Sequence, residues 1–568
     1  DVYKRQPLNK EEVLDHFNKT FDFAKSQMGS AQEIALRLTP LKDVYYTHDT
    51  TFDFNPKGHR ETNYVLLGIA FLILFIAGIN FTNLTTSLIP LRLKTINTHR
   101  VLGCSIYKLR AISLIESIVI CLISYILALF IVNDLSYTPI ANWVDADIRL
   151  SQYKGLILLT ALIAILTGCL AGLYPAIRST SYAPALVLKG SFGLSPKGKK
   201  VRVALIGFQY TVSIALIIVT LFMGLQNHFM TSSEQLGFNK DQVAIVNLTP
   251  EIYAKHKPQY IQKLKDYPGI EDVAFSVYEL SKEDDMIDLE YARHEDKDVF
   301  FKVFYASENF LSVMDIQVEE GRDFTREDLN KAQSDYIINP AAERDFHLHP
   351  GDRFNDRTVL GVSKDFRFNS CRIASSPFVF ALNNDIPNPK LVSYIRFNSK
   401  TNLQEAVAHV RETLKEIDPT FPFEISFYNT ILNNLYQKEQ TLGKLISLFG
   451  IMAILISIVG VFGLVLFETQ YRRKEIGIRK INGATTGQIL LMFNKTYIRI
   501  VSVCFIISIP IAWMGTQQWL ENFAYKTPLH LWVFIVAFLI ILSVTIGTVT
   551  FRNWQAANEN PVNSVKSE

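Results

Sequence analysis

The sequence predicts an α-helical membrane protein with seven transmembrane helices in two parallel repeats and an α+β domain outside the bilayer. Three observations carry this: seven apolar stretches long enough to cross a membrane, basic loops that orient them, and a long polar insertion before the fifth stretch.

The chain has 568 residues, more than one core organises, and 49% are hydrophobic. Mean hydropathy is +0.15. The apolar residues come in blocks rather than amphipathic stripes, and a helix needs about 20 of them to span a bilayer. The blocks are 64–90, 112–132, 155–175, 203–225, 442–467, 496–515 and 531–551.

Orientation follows from the loops. Segment 91–110 holds Arg92, Lys94, Arg100, Lys108 and Arg110 with no acidic residue, and 176–202 is likewise basic and acid-free. Segment 471–480 carries Arg472, Arg473, Lys474, Arg479 and Lys480 against Glu475 alone. These three belong in the cytoplasm, while 133–154 and 517–530 are poor in Lys and Arg and alternate with them. The N-terminus and 226–440 then lie outside and the C-terminus inside. An outward N-terminus needs a preceding span, so the expectation is an upstream span with about 200 residues of domain, and residues 1–6 are open to being non-native.

The spans fall into a repeat. R-L-K-T-I-N-T-H-R-V-L-G-C-S at 92–105 aligns without gaps on R-R-K-E-I-G-I-R-K-I-N-G-A-T at 472–485, matching Arg92 with Arg472, Lys94 with Lys474, Ile96 with Ile476, Arg100 with Lys480 and Gly103 with Gly483. Each half closes on a similar tail, Pro184 with Leu188 and Lys189, and Pro561 with Val565 and Lys566. Both copies follow a span entering the cytoplasm, so the repeat is parallel. The expected divisions are 1–63, the end of a first outer domain; 64–190, three spans; 191–202, a cytoplasmic linker; 203–225, one span; 226–441, the outer domain; and 442–568, three spans and a tail.

Within the outer domain, strand, helix and strand are expected at 242–248, 258–265 and 273–278, and again at 391–397, 403–417 and 423–427. Two such units around a β-rich middle make an α+β domain. Its connections, from 226 to a left-handed cap at Gly237 and across 429–441, contain no breaker and are expected to be helical stalks.

Candidate chemistry is sparse. No Gly-rich loop ends in Gly-Lys-Ser/Thr, so the chain has no phosphate cradle of that kind. The five cysteines form no C-x-x-C pair. His347 and His349 are read as loop residues rather than metal ligands, and Lys364 and Asp365 as a solvated pair at a strand end. No catalytic residue and no metal site are nominated. Glu116 is the ionisable residue noted within the spans, which disfavours an ion-coupled path. Ala453, Ser457 and Gly460 line one side of the fifth span, where another helix can approach.

The loop motif at 472–485, I-N-F-T-N-L at 79–84, L-T-P-L-K-D-V-Y at 38–45, G-R-D-F at 321–324 and G-V-S-K-D-F at 361–366 resemble the FtsX/MacB-type ABC transporter permeases in their eight-span, Bacteroidetes-like form, here truncated at the N-terminus. The resemblance covers nearly the whole chain. It implies a non-enzymatic permease with a MacB-like periplasmic core domain, working with a separate cytoplasmic ABC ATPase dimer that binds ATP and Mg, and coupling by mechanical transmission. Thr95 and His99 depart from the family's Glu and Arg. On this reading Arg472, Lys474, Glu475, Ile476, Gly477, Ile478, Arg479, Lys480 and Gly483, with Lys94, Ile96, Arg100 and Gly103, form the coupling elements, Ile476, Ile478 and Ile481 supplying an apolar side. The expected setting is the inner membrane, multi-pass, with a periplasmic adaptor and outer-membrane channel as further partners and no nucleic acid. The expected role is export or extraction of a hydrophobic or amphiphilic substrate (peptide, lipoprotein or drug). The alternative is a signalling subunit that activates an envelope enzyme or sensor. A membrane enzyme would need an acid-base or metal cluster in 226–440, and the sequence offers none.

Overall fold

A computed structural model describes residues 10–20, 38–46, 58, 60–138, 141, 149–182, 196–281, 288–295, 297–331, 333–382 and 391–558. Residues 1–69 and 70–568 form two compact units. The first contains helices α1 (Lys10–Thr20) and α2 (Leu41–Val44), and Arg60 pairs with Asp43 and lies over the Tyr46 ring.

The seven apolar blocks are helices: α3 (Arg60–Ser87), α5 (Ile106–Leu135), α6 (Lys154–Thr180), α7 (Pro196–Thr231), α14 (Gln437–Tyr471), α16 (Thr486–Leu520) and α17 (Leu531–Asn558). All seven are long and apolar enough to cross a membrane. With no water in the hydrocarbon, only a helix satisfies every backbone group within its own segment. Short helices α4 (Ile89–Val101) and α15 (Arg473–Ile481) stand between α3 and α5 and between α14 and α16.

Close packing follows the small residues. α5 meets α6 at Gly168 and Gly172, where an added Cβ would fall 3.0 Å from the Ile118 backbone and 2.5 Å from Ser117 Oγ. α7, α14, α16 and α17 share one core around Tyr210, Ile214, Phe222, Val501 and Phe534. α7 therefore packs with the second set of three spans, the grouping the repeat predicts. Ser457 bonds Ser213 of α7 at 3.0 Å and Ala453 is fully buried, so the small-residue side of α14 is a helix contact. At Gly460 the neighbour is Asn80 of α3, whose Nδ2 donates to Ile456 O (3.0 Å). Thr82 of α3 reaches the other way, to Ala171 O of α6 (2.9 Å).

Among the described residues, the outer domain is built on an 11-stranded mixed sheet. Its strands are β1 (Val243–Leu248), β2 (Ile270–Ser276), β3 (Asp288–His294), β4 (Lys297–Ala306), β5 (Val318–Gly321), β6 (Tyr336–Ile338), β7 (Arg353–Phe354), β8 (Arg357–Ser363), β9 (Phe378–Leu382), β10 (Leu391–Phe397) and β11 (Ile425–Phe427). The order is β11-β1-β10-β2-β4-β9-β6-β8-β5, with β3 on β4 and β7 on β8. β9 and β10 are buried throughout, because cores form on both faces of the sheet. The two strand-helix-strand units interleave as β11-β1-β10-β2, a split β-α-β arrangement. Their helices, α9 (Lys257–Lys265) and α12 (Leu403–Ile417), with α10 (Phe310–Met314) and α11 (Pro340–Phe346) between them in the chain, meet where Tyr267 stacks on His409.

Several boundaries differ from expectation. α7 starts at Pro196, so 196–202 is helical and continuous with the span-capable segment that begins at Val203, and the helix runs on to Thr231. Ser232, in extended conformation, then interrupts it before the one-turn α8 (Ser233–Leu236) and Gly237 at φ +75°. The return stalk is likewise broken: α13 (Tyr428–Leu435) stops at Tyr436, whose side chain turns into the outer-domain core. The tails at Pro184, Leu188 and Lys189 and at Pro561, Val565 and Lys566 lie outside the described residues.

Candidate coupling elbows and the outer junction

α4 and α15 end alike, bond for bond. In the first, the N–H groups of Leu102, Gly103 and Cys104 donate to Thr98, Arg100 and His99 carbonyls at 3.0, 3.0 and 2.9 Å; in the second, those of Asn482, Gly483 and Ala484 donate to Ile478, Lys480 and Arg479 carbonyls at 3.0 Å each. Gly103 and Gly483 sit at φ +90° and +87°, the left-handed cap that glycine adopts without steric cost. The next helix begins on a hydroxyl in both: Ser105 Oγ accepts from Lys108 N–H and Thr485 Oγ1 from Gln488 N–H, each at 3.3 Å. The repeat in the sequence is a repeat of backbone geometry, two rigid corners joining an entering span to a leaving one.

Their anchors differ. Arg472 pairs with Glu468 of α14 (2.9 Å) and lies over Phe493 of α16, while Glu475 pairs with Arg479 along the outside of α15 (2.8 Å). Arg92 forms a two-pronged pair with Glu116 (2.8 Å each), so the one acid noted within the spans serves as an anchor. Arg100 Nη1 donates to Tyr182 O at 2.6 Å, tying α4 to the end of α6. Ile96 and Lys480 are half-buried, and the side chains of Lys94 and Lys474 lie outside the described residues.

The expected apolar side of α15 divides. Ile476 is buried in the bundle beside a buried Gly477, whereas Ile478 and Ile481 remain 55% and 65% exposed. The cause is helical phase: positions two apart lie on opposite sides and positions three apart on the same side. Lys444, exposed within α14, and Arg499, exposed within α16, are further ionisable residues in predicted spans.

At the opposite end of the bundle, the turn between α16 and α17 is bound into the outer domain. Tyr525 N–H donates to Cys371 O (3.1 Å), Tyr525 O accepts from Gln226 Nε2 of α7 (3.0 Å), and its hydroxyl accepts from Ser375 N–H (3.1 Å). Gln226, fully buried, also accepts from Thr527 N–H (2.8 Å). Arg367 covers the Tyr525 ring at 4.1 Å; Arg372 covers Phe523 at 4.8 Å and donates to Glu439 of α14 at 2.7 Å. The Tyr436 hydroxyl accepts from Cys371 N–H (3.1 Å), and burial pushes both the tyrosine and the thiol pKa upward, keeping them neutral. The motif reading missed this junction, since its partners are far apart in the chain and carry no local signal.

Of the histidines weighed for metal, His349 joins Glu343 and Glu320, one ligand atom each within 4.8 Å, and His347 is not of this group. His349 Nδ1 lies 3.5 Å from Glu343 on an exposed surface, the geometry of a surface contact. Lys364 and Asp365 are exposed after β8, as expected.

Seven helices able to span a membrane, paired corners and a large α+β domain are the features of a multi-pass membrane protein. Residues 67–184 and 447–561 match the FtsX-like permease C-terminal family. The chain is 25% identical over 212 residues to the macrolide export ATP-binding/permease protein MacB of Aggregatibacter actinomycetemcomitans, covering 35% of this chain and 32% of that protein. It is 25% identical over 223 residues to that of Neisseria gonorrhoeae, covering 37% and 34%. The matches thus span about a third of the length of these relatives. Among solved structures, the periplasmic region of MacB from Actinobacillus actinomycetemcomitans aligns with 97% of its length on 36% of this chain (TM-score 0.27, 15% identity). The extracellular domain of the noncanonic ABC-type transporter YknZ aligns with 98% of its length on 32% (TM-score 0.25, 16% identity). Two segments of the chain are thus similar to FtsX-like permeases, and part of it is similar to MacB.

Proposed function

We propose that this permease sits in the cytoplasmic (inner) membrane and couples ATP hydrolysis by a separate ABC ATPase dimer to work done by its outer domain on a hydrophobic or amphiphilic substrate. The observation that carries the reading is the pair of corners with one backbone geometry, each in a basic loop, at the opposite end of the bundle from the outer domain. ATP and Mg belong to the partner; the substrate is a peptide, lipoprotein or drug, with a periplasmic adaptor and outer-membrane channel as further partners.

The geometry supports mechanical transmission. A corner whose helix is tied to the entering span by Arg472–Glu468 and to the leaving span by Arg472 over the Phe493 ring moves as one body with both. Displacing it displaces α14 and α16, and each reaches the outer domain: α14 through Glu439 and Tyr436, α16 through the turn that carries Phe523 and Tyr525.

The test is to purify the tagged chain, identify the ATPase it retains, and measure ATP hydrolysis in proteoliposomes. Ile478→Asp together with Gly483→Asp is expected to remove the permease-dependent stimulation while membrane insertion is unchanged. Stimulation equal to that of the unaltered chain contradicts the assignment of α15 as the coupling element.

A further inference from the structure

The corners share a backbone but not a surface. At matched positions the second presents Ile478 where the first has exposed Thr98, and the first presents Leu102, 78% exposed, where the second has exposed Asn482. In α15 the apolar surface lies along the helix flank, because Ile478 and Ile481 are one turn apart. In α4 the matching last residue, Val101, is as exposed as Ile481 (65%), but the apolar surface extends the other way, onto the cap Leu102 at the tip.

Charge divides the same way. The flank of α15 carries the Glu475–Arg479 pair, and the matching Thr95 and His99 of α4 form no such pair. Since the two helices end in the same backbone bonds, a difference in binding falls on these side chains.

We infer that the two corners are unequal sites for the ATPase dimer: the second is held along its flank through Ile478 and Ile481, the first at its tip through Leu102. The inference rests on the function proposed above. Both corners lie in basic segments, so the complementary partner grooves have acidic rims. One groove cannot fit a flank and a tip equally. The partner's two subunits are therefore loaded differently, whether they are identical chains or two different ones.

The experiment compares matched substitutions in the full chain, using as probe the ABC ATPase retained by the tagged unaltered protein. Ile478→Asp and Leu102→Asp are each expected to lower the retained ATPase by about tenfold, and their counterparts Thr98→Asp and Asn482→Asp by less than about twofold. A milder exchange guards against misfolding: Ile478→Thr is expected to lower retention and Thr98→Ile to leave it intact, with all variants monodisperse in detergent. Equal losses within each matched pair overturn the inequality alone. If the unaltered chain retains no ABC ATPase, the functional reading falls first.

Discussion

Asp328 shows how much of the outer domain depends on single residues in motifs that look functional. Arg322 of the G-R-D-F segment donates to both its carboxylate oxygens, at 2.7 and 2.8 Å, and Thr325 adds its N–H and hydroxyl. These bonds, Arg322 first, hold the buried carboxyl well below the usual carboxylate range. Because the folded pKa is depressed, the stabilisation is complete above the unfolded value of about 3.9 and is lost as pH falls through the folded one. Asp328→Asn is expected to cost about 2–3 kcal/mol at neutral pH. It should also flatten the acid limb of the outer-domain melting curve, followed by limited proteolysis of the whole protein; an unchanged acid limb contradicts this account. The segment's glycine has a structural role too. Gly321, at φ +79°, faces Gly361 of the G-V-S-K-D-F segment across β5 and β8, where a Cβ would lie 2.7 Å from the Gly361 Cα. Both motifs were legible as residues, and their meaning as one close backbone crossing was not, since it needs the register between two distant strands.

Among the elements, the turn from α16 to α17 is the one whose importance the pattern of hydropathy concealed. It is short, polar and far in sequence from Cys371 and Gln226, yet it binds both. Tyr525→Ala would remove the ring beneath Arg367 and the acceptor for Ser375 N–H, at a cost of about 1–3 kcal/mol. The expected outcome is faster proteolysis of 364–377 with ATPase stimulation preserved, because the corners are untouched. If protection is unchanged, this turn is not a strut. Hydropathy located all seven spans but not their ends: α7 and α14 continue as polar helix beyond the stretch that a bilayer selects. The breaks at Ser232 and Tyr436 had no proline or glycine to mark them. At Tyr436 the cause is tertiary, a side chain drawn into a buried bond with Cys371.

For the whole molecule, the arrangement of α7 with α14, α16 and α17 makes the second half a four-helix unit that carries the outer domain, and α3 bridges it to α6 through Asn80 and Thr82. The I-N-F-T-N-L segment thus reads as the joint between halves, its Asn80 amide and Thr82 hydroxyl serving helix contact. The repeat itself was visible because both corners kept glycine and the flanking charges. Their unlike surfaces were visible only as Thr95 and His99, since exposure depends on helix phase and on which side meets the bundle.

The central claim is that the corners and the outer domain lie on opposite sides of one membrane. It is tested most directly by labelling single cysteines with a membrane-impermeant maleimide in intact cells and in inverted vesicles. The native Cys104 beside the first corner, Arg479→Cys in the second and Asp365→Cys in the outer domain serve as the three sites, each in a background lacking the other cysteines. Labelling of positions 104 and 479 only in inverted vesicles, and of 365 only in intact cells, is the predicted result. Reaction of 479 and 365 from the same side contradicts the account.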